Sequence, residues 1–134
     1  ASEILQPLNL KNTYGLMDDV DLTQLASGYH IGLKEDRKNT NFTAASGAMV
    51  ATAADVGVFL RALNDGSLLT EEEQTIYTSI YDYQHTGWLP GYQSIARYHS
   101  DIDTVVIQFI STTGGESELV SRVVYDRLIK ILRK

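Results

Sequence analysis

Apolar residues fall at helical spacing after Thr52, where Val56, Phe59, Leu60 and Leu63 share one face. Thr52 stands where its hydroxyl caps the free N–H groups, and Asp55, three residues on, is placed for a return bond to the cap. Asn64-Asp65-Gly66 ends the helix, with glycine available for the left-handed stop. Thr70-Glu71-Glu72-Glu73 repeats the capping signature and opens a shorter helix, with three carboxylates at its positive end. From Ile76 to Tyr83 two periods compete: Ile76 and Ile80 fit a helix, whereas Tyr77, Ser79, Tyr81 and Tyr83 alternate as in a strand. Tyr92 to Tyr98 and Thr104 to Ser111 read as strands joined through the short loop Ser100-Asp101-Ile102-Asp103. Thr112-Thr113-Gly114-Gly115 turns the chain into a last helix from about Ser117. Its apolar stripe is Val120, Val123, Val124, Leu128, Ile131 and Leu132, interrupted by Arg127.

The earlier part of the chain is less regular. Ser2 to Leu8 reads as the end of a helix stopped near Pro7. Asn12 to Asp21 is turn-rich, Leu22 to Leu33 contains a short extended piece around Tyr29 and Ile31, and Lys34 to Thr43 is a polar loop. The expected fold is α+β: an antiparallel sheet with the C-terminal helix packed on it, plus a small helical region. Residues 1–75 form the helical and loop portion, and 76–134 the sheet strands and last helix.

With 134 residues the chain forms one domain, burying roughly two-thirds of its unfolded surface. A net charge of −6 and the lack of any basic run argue against nucleic acid or an anionic membrane as the main partner. There is no cysteine, which removes disulfides and thiolate metal sites. The three histidines, His30, His85 and His99, are too scattered to suggest a metal centre.

The stretch His85-Thr86-Gly87-Trp88-Leu89-Pro90-Gly91-Tyr92 carries the candidate chemistry. An imidazole and a hydroxyl side by side can hold a carboxylate, and an adjacent glycine lets a substrate approach the strand backbone. Each residue also has a plainer account: a surface histidine, a β-branched strand threonine, a strand glycine and a core tryptophan. Strand alternation puts His85 and Gly87 on one face and Thr86 on the other. His85 and Thr86 reach one groove only if this strand lies at a sheet edge, antiparallel to Gln93–His99. Asp101 and Asp103 read as turn residues, Tyr77, Tyr81 and Tyr83 as half-buried strand residues, and Asn41-Phe42-Thr43 as a chance glycosylation triplet.

Three segments together resemble the β-lactamase-related serine hydrolases, the group of class C β-lactamases, penicillin-binding proteins and D-Ala-D-Ala carboxypeptidases. His85-Thr86-Gly87 is similar to their Lys-Thr-Gly signature. Ser46-Gly47-Ala48-Met49-Val50-Ala51-Thr52-Ala53-Ala54-Asp55-Val56 resembles their Gly-Gly-Leu-x-Ser-Thr-Ala-x-Asp-Leu segment, and Ile4-Leu5-Gln6-Pro7-Leu8-Asn9-Leu10-Lys11-Asn12-Thr13 their Ile-x-x-Pro-Leu-Gly-Met-x-x-Thr opening.

The resemblance implies acyl-enzyme hydrolysis of a β-lactam, a D-amino-acid peptide or an ester, with no metal and no cofactor. It implies substrate binding by His85, Thr86 and Gly87 and an oxyanion donor in the Trp88 backbone N–H. No Ser is followed three residues later by Lys, so the nucleophile motif is expected in a preceding portion, and this chain alone is expected to be inactive. The partners expected are that N-terminal portion, a small-molecule or peptide substrate, and, for the isolated chain, a second copy of itself. A bacterial, periplasmic or exported setting is implied as well. The rival expectation is a non-catalytic interaction or assembly module with a degenerate hydrolase fold.

Overall fold

The computed structural model describes residues 3–15, 17–40, 42, 49–80 and 84–134. Its centre is an antiparallel sheet of β4 (Gln84–Leu89), β5 (Tyr92–His99) and β6 (Thr104–Ile110) in that spatial order. Two helices sandwich it. α1 (Ala53–Asp65) packs on the face that carries Tyr98 and Val105, and α3 (Ser117–Leu132) on the face that carries Ile95, Val106 and Gln108. α2 (Glu71–Ile80) leads into β4. Two small ladders complete the chain: β1 (Thr13–Tyr14) antiparallel to β3 (Val50–Ala51), and β2 (Tyr29–His30) parallel to β7 (Thr112–Thr113). The α+β architecture expected from the sequence is therefore present.

The helix ends follow their predicted chemistry, with one change. Thr52 Oγ1 accepts the Asp55 N–H at 3.2 Å, and Gly66 adopts φ +76° beyond α1. Asp55 makes no return bond to its cap. Its buried Oδ2 accepts from the Asn12 N–H at 2.8 Å and from the Thr13 hydroxyl at 2.9 Å, tying α1 to β1. The capping box of α2 closes both ways, Thr70 N–H to Glu73 Oε2 at 2.9 Å and Glu73 N–H to Thr70 Oγ1 at 3.3 Å. The helical period wins between Ile76 and Ile80. Tyr81 and Tyr83 lie outside the described residues, as do Asn41, Thr43 and Ser46 to Ala48.

The opening segment closes as a helix end does: Leu8 N–H donates to the Ile4 carbonyl at 3.2 Å, Asn9 N–H to that of Gln6 at 3.0 Å and Leu10 N–H to that of Leu5 at 2.8 Å, with Asn9 left-handed at φ +53°. One expectation needs correction. The stripe assigned to α3 does not face the sheet. The helix buries Ser121, Tyr125 and Ile129, whereas Val120, Val123, Val124, Leu128, Ile131 and Leu132 are exposed. Polar anchors set this roll. Gln108 Nε2 donates to the Ser121 carbonyl and hydroxyl at 3.0 and 2.8 Å, and His99 Nε2 meets the Tyr125 hydroxyl at 2.9 Å. Buried polar groups need these partners, and exposed valines do not.

Candidate active site

β4 is an edge strand. It pairs with β5 alone among the described residues, in the register His85↔Ala96, Thr86↔Ile95, Gly87↔Ser94, Trp88↔Gln93 and Leu89↔Tyr92. A two-residue turn, Pro90-Gly91, joins the strands, with Gly91 at φ +97°. A side chain at Gly91 would lie 2.9 Å from Arg37 Cβ, so glycine is required both for the turn and for the close approach.

That turn decides which backbone groups are free. The residues flanking a two-residue turn exchange both hydrogen bonds, and alternate residues then point their N–H and C=O away from the partner. His85, Gly87 and Leu89 turn their backbone toward β5. Thr86 and Trp88 turn theirs to the open edge. An open N–H at Trp88 is what an oxyanion donor requires.

The side chains divide as alternation demands. His85 and Gly87 lie on the α1 face, and Thr86 and Trp88 on the α3 face. His85 and Thr86 are both exposed and flank the rim of the edge. A Cβ at Gly87 would meet the Ser94 hydroxyl at 2.6 Å, so the absent side chain leaves that hydroxyl its place. A shallow depression of about 310 Å³ opens here, lined by Gln84, His85, Thr86 and Arg97. A larger one of about 620 Å³ lies between α1 and the β5–β6 loop, where Arg61 pairs with Asp103. It contains none of the candidate residues, and its chemistry is that of an ion pair joining helix to loop.

Arg97 was not singled out by sequence reasoning. It stands opposite Gln84 on the α3 face, with its guanidinium 5.7 Å from the centre of the Tyr125 ring. Its buried Nε has no hydrogen-bond partner among the described residues. The structure thus sets a permanent cation beside Thr86, which a strand of alternating polar residues did not announce.

The Trp88 side chain does not pack as core. Its indole is about half exposed and donates from Nε1 to Glu118 Oε1 at 2.6 Å, while its ring stands edge-on to His30 at 6.0 Å. The indole bond, then N–H groups at the start of α3, hold the Glu118 carboxyl below the usual carboxylate range. Beneath the turn, the fully buried Thr113 Oγ1 accepts the Gly91 N–H at 2.6 Å and meets His30 Nδ1 at 3.0 Å. These supports lie 22 to 83 residues away from their partners, beyond any local sequence signal.

Solved structures share this architecture. A D-amino acid amidase from Ochrobactrum anthropi SV3, complexed with D-phenylalanine, superposes with a TM-score of 0.76 at 21% identity, over 97% of this chain and 52% of that one. The same amidase complexed with L-phenylalanine amide gives 0.75 at 21% identity, over 99% and 51%. A D-stereospecific amidohydrolase from Streptomyces sp. gives 0.69 at 18% identity, over 83% and 42%. The fold is penicillin-binding-protein/β-lactamase-like. The chain spans about half the length of these structures. No family model and no curated protein matches it.

Proposed function

We propose that this chain forms one wall of a serine hydrolase active site and acts on an amide, peptide or ester through an acyl-enzyme. The observation that carries the reading is the open edge of β4, with the Thr86 and Trp88 N–H groups turned outward in a fold shared with amidases. The Trp88 N–H would stabilise the developing oxyanion, and Thr86 and His85 would hold a substrate carboxylate or carbonyl. Arg97, on the same face as Thr86, would add a fixed positive charge. The solved neighbours are named for D-amino acid amides and D-stereospecific hydrolysis, which favours a D-configured amide over a β-lactam as substrate class. The Ser and Lys of the nucleophile motif have no counterpart in these 134 residues, so they would come from the part of that fold that this chain does not match. An exported or periplasmic setting belongs to the same proposal.

The test uses the gene product that carries this sequence, treated with a serine-reactive fluorophosphonate. We expect labelling of a serine outside these residues and slower acylation in Thr86→Val, with unchanged thermal stability. The isolated chain should show no turnover of a D-phenylalanine anilide. Labelling of a serine within the chain, or full acylation in the Thr86 variant, would refute the assignment.

A further inference from the structure

An oxyanion donor stabilises charge only when its N–H is already aimed before the charge develops. The strand ladder by itself holds the Trp88 N–H from one end. The peptide that carries it is tied to β5 through the Gly87 carbonyl, and Gly87 has no side chain to restrict its rotation. At its other end lies Trp88, which stands opposite Gln93 in a pair that exchanges no hydrogen bonds and turns its own backbone to the open edge. A second point of attachment has to come from the Trp88 side chain.

The indole supplies it. Packing alone does not fix a ring that is about half exposed. Nε1 donates to Glu118 Oε1 at 2.6 Å, and the same oxygen accepts the Gly114 N–H at 3.3 Å. His30, held to Thr113 Oγ1 at 3.0 Å, stands edge-on to the indole. Glu118 lies in the first turn of α3, three residues before the buried Ser121 that bonds to Gln108 on β6. The carboxylate therefore ties the edge strand to a helix anchored two strands away. An ionised acceptor makes a shorter and stronger bond than a neutral one, and the indole bond itself helps keep this carboxyl ionised.

We propose, resting on the serine hydrolase reading, that Glu118 is a positioning residue for the oxyanion donor: its bond to the Trp88 indole fixes the Gly87–Trp88 peptide so that the N–H stays turned to the open edge. Glu118 acts through Trp88 and not on the substrate.

The gene product that carries this sequence tests it through the rate of fluorophosphonate labelling. The P=O oxygen of that probe takes the place of a substrate carbonyl, so the rate reads the donor whatever the natural substrate is. Glu118→Ala should lower the limiting labelling rate about tenfold or more and leave the half-saturating probe concentration within about twofold, because the donor acts in the transition state. Glu118→Gln keeps an acceptor oxygen and should retain most of the rate. Trp88→Phe keeps the backbone N–H and loses the indole donor. It should match Glu118→Ala, and the double variant should be no slower than either single one. Arg133→Gln breaks the ion pair with Asp101 at the far end of α3 and should label at the parent rate. Thermal melts check that each variant is folded, and Trp88→Phe carries the test if Glu118→Ala does not fold. Parent-rate labelling in Glu118→Ala or Trp88→Phe, a glutamine variant as slow as the alanine one, additive losses in the double variant, or an equal loss in Arg133→Gln overturns the positioning role and leaves the hydrolase reading standing. A parent protein that never labels overturns both.

Discussion

Thr113→Val isolates the polar knot that holds the β4–β5 turn in place. Valine matches threonine in shape and removes only the hydroxyl, so no cavity forms at this fully buried position. Two partners are left behind, the Gly91 N–H at 2.6 Å and His30 Nδ1 at 3.0 Å. A buried donor without a partner costs about 1–3 kcal/mol, and a second lost bond about 1 kcal/mol more. The expected loss is therefore about 2–4 kcal/mol, or a fall in melting temperature of roughly 8–16 °C at about 4 °C per kcal/mol for a chain of this size. Thr113→Ser is the control: it keeps both bonds and loses a methyl group, about 1 kcal/mol. Urea unfolding at one fixed protein concentration measures both variants. Equal stability of the valine variant and the parent, or a serine variant weaker than the valine one, would show that the hydroxyl does not hold the turn.

Trp88 is the only tryptophan, so its fluorescence reports directly on the Glu118 contact. Acid titration should shift the emission with a midpoint below the usual carboxylate range, and Glu118→Gln should abolish that step; a step that survives means another group is responsible. His99 is held below the ordinary histidine value, first by burial and then by the Arg133 guanidinium. The native state therefore binds this proton less readily than the unfolded chain. Stability should be complete above about pH 6.5 and decline as pH falls toward the lower folded value. His99→Gln should flatten the urea midpoint across that window. The Asp101 and Asp103 carboxylates, held down by Arg133 and Arg61, act only at lower pH.

Local chemistry along the chain was sufficient for α1, for the capping box of α2, and for the β5–β6 hairpin. Caps, periodicity and turn residues act within a few positions and need no tertiary partner. It also placed His85, Thr86 and Gly87 on one strand and required that strand to lie at an edge, as it does among the described residues. The roll of α3 was not legible. Apolar periodicity identifies a stripe but not what covers it, and here the anchors of Ser121 and Tyr125 to β6 and β5 outweigh the valines. Nor could the sequence bring Arg97 beside Thr86, Glu118 under Trp88, or Thr113 beneath the Gly91 turn. Those meetings depend on strand register and on how the helix crosses the sheet, and both are settled only when distant segments pack and bury their polar groups together.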